Sequence, residues 1–122
     1  MPASHATASA AGAALLPVMP DGDDLDRMTS RAEEAAAFLK ALSHEGRLMI
    51  LCHLARGERS VSELEALLGS RQAAVSQQLA RLRLEGLVAC RREGKQIYYS
   101  LQDARVVRTI GLMYEMFCAD GD

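Results

Sequence analysis

The feature that most constrains this 122-residue chain is a pair of short helical periodicities set end to end with two residues between them. Ser60-Val61-Ser62-Glu63 has the pattern of a capping box, in which the Ser60 hydroxyl satisfies the Glu63 amide and the Glu63 carboxylate returns to the Ser60 amide. A helix is expected from Val61, carrying Leu64, Leu67 and Leu68 to a stop at Gly69. Ser70 is placed to cap the next, in which Val75, Leu79 and Leu82 recur at i, i+4 and i+7. Two short helices joined by a Gly-Ser turn make a helix-turn-helix.

After Gly86 the hydrophobic period drops to two. Residues 87–92 and 96–101 flank the turn sequence Glu93-Gly94-Lys95, with Ile97, Tyr99 and Leu101 on one face, so a β-hairpin is expected to stand as a wing. Upstream, Ala35, Phe38, Leu39 and Leu42 recur at helical spacing from Arg31 to Ser43, which is placed to cap a helix over 44–56. Leu48, Leu51, Cys52 and Ala55 share one face of that helix. Downstream, a terminal helix from about Asp103 carries two apolar stripes, Val106, Ile110, Met113 and Phe117 beside Val107, Gly111, Tyr114 and Cys118. So broad an apolar surface points to a homodimer paired through the terminal helices. The expected fold class is mainly α with a β-hairpin wing, a winged helix-turn-helix in one domain over residues 28–120. Residues 1–27, rich in Ala, Gly, Pro and Asp, are expected to be a flexible tail.

Composition bounds the function. Hydrophobic residues at 49% and charged residues at 25% describe a folded chain with one core. A net charge of −2 gives nucleic-acid binding no support, and 4% aromatic residues without Trp weigh against stacking on single-stranded bases. Local charge tells otherwise. Over residues 71–95, Arg71, Arg81, Arg83, Arg91, Arg92 and Lys95 stand against Glu85 and Glu93, six basic less two acidic, leaving +4 there and −6 elsewhere. Phosphate contact depends on the contacting face, which makes this the electrostatic footprint of a duplex binder. The same helix offers Gln72, Ser76, Gln77 and Gln78 for base edges, and the hairpin offers cations for phosphates. Near-palindromic double-stranded operator DNA is the expected partner, with Arg71, Gln72, Ala73, Ser76, Gln77, Gln78, Arg81, Arg91, Arg92 and Lys95 as contact candidates.

Other classes fare worse. The chain has no Gly-rich phosphate loop, nucleophile elbow or clustered carboxylates, so an enzyme is not expected. No cofactor or metal site is expected either: Met49, Met113 and Met116 lack the paired His of a heme site and read as packing, and His5, His44 and His53 form no cluster. No apolar run is long enough to span a membrane, and no Lys or Arg precedes Arg27 to make a signal n-region. Cys52, Cys90 and Cys118 form no C-x-x-C pair, and their odd number suits reduced thiols in a cytoplasmic protein.

Ala41-Leu42-Ser43-His44 with Arg47-Leu48, Gln72-Ala73-Ala74-Val75-Ser76-Gln77-Gln78-Leu79, Leu82-Arg83 and Glu85-Gly86-Leu87-Val88 together resemble the ArsR family of bacterial repressors, over about residues 33–118. The resemblance implies a dimeric winged-helix repressor. Gln78 departs from it, since many relatives carry His there. The family's Cys-x-Cys metal motif is replaced by Ser60-Val61-Ser62, and its Asp-x-His site by Asp103-Ala104-Arg105 with no later His. Cys52 and Cys118 resemble the two thiols of the sulfide- and persulfide-responsive branch, which implies release from DNA when reactive sulfur species bridge them. Arg56 and His53 near Cys52 favour its thiolate and the helix C-terminus disfavours that of Cys118, so Cys52 is expected to attack first. Cys90 is read as structural. Two alternatives stay open: a thiolate-based metal or metalloid sensor, and a winged-helix adapter that no longer binds DNA.

Overall fold

The computed structural model of the chain describes residues 19–69 and 72–118, with the backbone alone at Gln72 and Ala73. The elements in chain order are α1 (Gly22–Leu42), α2 (Glu45–Ala55), β1 (Arg59–Ser60), α3 (Val61–Leu68), α4 (Gln72–Leu84), β2 (Val88–Glu93), β3 (Gln96–Leu101) and α5 (Ala104–Phe117). The chain divides into two units, residues 1–35 and 36–122, and α1 runs across the boundary.

The helix starts follow from local chemistry. Asp21 opens α1 by accepting the Asp24 amide at 2.8 Å, while Asp24 accepts the Asp21 amide at 3.2 Å. Residues 22–27, expected to be tail, are therefore helical. Asp-Gly-Asp-Asp is a turn signal that here serves as a reciprocal cap, with the acidic side chains favourably placed at a helix N-terminus. The rest of the expected tail, residues 1–18, lies outside the described residues. At α2 the cap is His44, not Ser43: the imidazole Nδ1 accepts from the Gly46 and Arg47 amides at 3.0 and 3.4 Å, and the Ser43 hydroxyl turns back to donate to the Lys40 carbonyl.

The predicted capping box is present at α3. Ser60 Oγ accepts the Glu63 amide at 3.1 Å and Glu63 Oε1 accepts the Ser60 amide at 2.8 Å. Gly69, at φ 64°, ends the helix in the left-handed region that a side chain would disfavour. The backbone of α4 resumes at Gln72, so α3 and α4 form the expected helix-turn-helix.

The hairpin is antiparallel from Val88↔Leu101 to Glu93↔Gln96. A third strand, β1, pairs Arg59 with Tyr99 and Ser60 with Tyr98, giving the order β1-β3-β2. Two residues carry no readable period, so the sequence gives no warning of it. Ser60 thus both ends the strand and caps α3, which fixes the wing to the helix-turn-helix.

One core holds the described residues from Ala41 to Ile110 together. Ile50, Leu51 and Leu54 of α2, Leu64 of α3, Val75, Leu79 and Leu82 of α4, Leu87 and Val88 beyond it, and Val106 and Ile110 of α5 are all buried with Ala41 and Leu42. Each fully buried Leu or Val contributes on the order of 1.5–3 kcal/mol over its exposed state. Only the N-terminal half of α5 is held in this way; Leu112, Tyr114, Met116 and Phe117 remain exposed, Phe117 at 76%.

Candidate nucleic-acid interface and thiol pair

The core fixes which face of α4 is presented. With Val75, Leu79 and Leu82 buried, Ala74, Ser76, Gln77, Ala80 and Arg81 are exposed and Gln78 sits half-buried at the margin. Ser76 and Gln77, named as contact candidates, are thus on the solvent-facing side of the helix. Arg71 lies outside the described residues, and the side chains of Gln72 and Ala73 are not described. Arg81 stands 3.8 Å from Glu85, an exposed pair on one helix face that contributes little to stability.

The wing cations divide into two kinds. Arg91 is committed within the chain: Nε and Nη2 donate to the two carboxylate oxygens of Glu58, both at 2.8 Å, Nη1 donates to Glu93 at 2.8 Å, and the guanidinium lies 4.8 Å from the Tyr98 ring centroid. These bonds hold Glu58 below the usual carboxylate range and Arg91 above the usual guanidinium value. Arg91 braces the wing against the segment before β1, and its charge is largely neutralised there. Arg92 and Lys95 are exposed and make no ion pair among the described residues, so their charge, unlike that of Arg91, is not neutralised by a described side chain. Sequence reasoning did not find Glu58, because its partner is 33 residues away.

Arg47 was also missed as a site residue. It is half-buried at the start of α2; Nε donates to the Ala41 carbonyl at 2.8 Å, Nη2 to the Lys40 carbonyl at 3.2 Å, and Nη1 to Gln78 Oε1 at 3.5 Å. One guanidinium thus closes the end of α1 and reaches α4.

Cys52 is half-buried on α2 and Cys118, the C-cap of α5, is exposed; all three cysteines are free thiols. The two helices pack together. Burial, and then the negative charge of Cys118, push the Cys52 thiol up from its ordinary value. The expectation that Arg56 and His53 favour the Cys52 thiolate is corrected by this: burial of the sulfur raises the thiol and neither cation lowers it. Cys90 is elsewhere, opposite Tyr99 in the hairpin, where burial and then the Cys90 charge raise the Tyr99 hydroxyl.

Asp103 caps α5 by accepting the Arg105 amide at 2.9 Å and pairs with the Arg105 guanidinium at 2.7 Å, which lowers its carboxyl. Its lone pairs are thereby engaged by a cation. Among the described residues no three His, Cys, Asp or Glu side chains converge to hold a metal, and no helix is long and apolar enough to cross a membrane.

A helix-turn-helix on a three-stranded sheet, followed at once by a hairpin bearing exposed cations, defines a winged helix-turn-helix regulator. Residues 44–89 match the model of the bacterial regulatory protein arsR family. The chain is 52% identical over 95 residues to the biofilm growth-associated repressor of Agrobacterium fabrum, covering 78% of this chain and 81% of that one. It superposes on the crystal structure of the transcriptional repressor BigR from Xylella fastidiosa with a TM-score of 0.74 at 46% identity, covering 78% of this chain and 97% of that one. It also matches the homodimeric winged helix-turn-helix DNA-binding domain of Mb0332 from Mycobacterium bovis, with a TM-score of 0.65 at 35% identity over 75% of this chain and 84% of that one. The chain belongs to the ArsR family of bacterial regulatory proteins.

Proposed function

We propose that this chain is a dithiol-controlled transcriptional repressor. As a reduced homodimer it binds near-palindromic operator DNA, with α4 in the major groove and Arg92 and Lys95 on phosphates, and it leaves DNA when reactive sulfur species or an oxidant bridge Cys52 and Cys118. The observation that carries this reading is an exposed thiol at the end of α5 and a half-buried thiol on α2, two helices that pack together. Repression is the activity named for the Agrobacterium and Xylella relatives, and the exposed face of α4 suits duplex readout.

Access and electrostatics give the order of events. Cys118, exposed, attacks the outer sulfur of a persulfide RSSH, becoming Cys118–S–SH and releasing the thiol RSH. Cys52 then attacks the inner sulfur of Cys118, forming the Cys52–Cys118 disulfide and expelling hydrosulfide; the two thiols are oxidised and the transferred sulfur is reduced. Further sulfur transfer before closure gives a longer bridge. Because α2 packs on α3, α4 and α5, a bond from α2 to the end of α5 bears on the helix that faces DNA.

Intact-mass spectrometry of the reduced protein after treatment with a persulfide donor tests this, beside Cys52→Ser and Cys118→Ser. Binding is followed on the duplex that the reduced protein enriches from a random-sequence library. The expected result is a mass change of bridging sulfur that needs both thiols and accompanies loss of DNA affinity. An unchanged mass, or an affinity indifferent to the change, would refute the switch.

A further inference from the structure

We propose that Arg47 is a positioning residue that sets the hydrogen-bonding polarity of Gln78, so that Gln78 turns its amide N–H groups, not its carbonyl, toward DNA. The inference rests on the reading of α4 as the DNA-facing helix and specifies what one of its side chains recognises.

A guanidinium has donors only, so the Gln78 atom facing Arg47 is the carbonyl oxygen, as the 3.5 Å contact to Oε1 has it. The contact is long, yet it is charge-assisted and its donor is anchored. The other two nitrogens of the fork are held by the Lys40 and Ala41 carbonyls at the end of α1. Arg47 therefore does not follow Gln78; Gln78 follows Arg47. No described residue accepts from the Gln78 amide nitrogen, which leaves both its N–H groups for a ligand.

The consequence is a restricted code. A free Gln pairs bidentately with adenine by giving one N–H to N7 and accepting from N6. With its oxygen turned toward Arg47, Gln78 presents donors to the groove, and guanine, whose O6 and N7 both accept, or thymine O4 is favoured over adenine, which offers N7 alone and leaves its N6 amino group unanswered. Arg47 is indispensable in this role because a lysine ammonium cannot span three acceptors in a fixed plane.

The test uses full-length reduced protein and sequence selection from a random duplex library, followed by affinity on the enriched duplex at several salt concentrations. Wild-type protein is expected to prefer guanine or thymine over adenine at one position per half-site, and Gln78→Ala to lose that preference. Gln78→Glu keeps an acceptor for Arg47 and presents a second oxygen to the groove, so its preference is expected to move to a donor edge, cytosine N4. Arg47→Lys is expected to weaken the enriched duplex roughly tenfold, to leave the slope of log affinity against log salt unchanged, and to add less than about twofold in the Gln78→Ala background.

A Gln78→Glu protein that selects the wild-type sequence overturns the inference, whether or not Arg47→Lys folds by circular dichroism. Equal Arg47→Lys losses in both backgrounds, or a salt slope reduced by about one, would do the same by showing that Arg47 acts without Gln78 or contacts phosphate itself. A wild-type protein that enriches no sequence overturns the reading of α4, a different result from an enriched site to which Gln78 is indifferent.

Discussion

Cys52 is half-buried on α2 and packs against the core, and its burial favours the protonated thiol. Because its value is raised in the folded chain, ionising it costs more there than in the unfolded chain. Its stabilising contribution is therefore complete below the ordinary value of 9.0 and is lost as pH rises through the higher folded value. Alkylation with iodoacetamide, followed by peptide mass spectrometry across pH 7–10, is expected to label Cys118 before Cys52 in the reduced protein. In Cys118→Ser the Cys52 profile is expected to move to lower pH, since the raising charge is gone, while staying above that of an unstructured thiol because burial persists. A Cys52 that reacts as fast as a free thiol at neutral pH would contradict this order. The sequence could not have supplied it: Arg56 at i+4 suggested a stabilised thiolate, and only the fold reveals that the sulfur is half-buried and its second electrostatic neighbour is Cys118.

Among the elements, the helix-turn-helix was the most legible because its boundaries are set by local rules. Ser60, Glu63 and Gly69 act on amides and torsions within a few residues of themselves, so their spacing in the chain is already their geometry. Removing the hydroxyl in Ser60→Ala, at a side chain only 3% exposed, takes the side-chain acceptor from the Glu63 amide at the start of α3. The expected cost is roughly 1 kcal/mol, seen as a melting temperature lowered by about 5 °C, with far-UV helicity of the folded state otherwise retained. An unchanged melting temperature would show that the box contributes nothing. What the sequence concealed were the contacts that join elements: β1 against β3, Glu58 to Arg91, and Arg47 to Gln78. Each depends on chain segments tens of residues apart, and no periodicity encodes such pairings. The candidates for DNA contact could be named from the sequence, but that Arg91 is tied to Glu58 while Arg92 and Lys95 make no ion pair among the described residues required the structure.

At the scale of the whole molecule, the balance of buried and exposed surface asks for a second copy. Leu112, Tyr114, Met116 and Phe117 leave one helix with more apolar surface than an isolated domain usually shows, and the matched Mycobacterium bovis domain is homodimeric. Phe117→Asp is expected to convert the protein to a monomer by sedimentation velocity and to weaken the enriched duplex at least a hundredfold, because a two-fold site then loses half of its contacts. A variant that stays dimeric would place the interface elsewhere. The position of Cys118 at the end of that same helix has a further consequence. Cys52 is set in the body of α2 next to core side chains, whereas Cys118 stands where intrahelical hydrogen bonds run out, with its amide on the Tyr114 carbonyl as the last rung. The pair resembles a caliper with one jaw set beside the core and the other at an exposed helix end. Each added sulfur lengthens a bridge by roughly 2 Å. On the proposed reading, then, a longer bridge is accommodated at the end of α5, where less packing has to give, and not around Cys52.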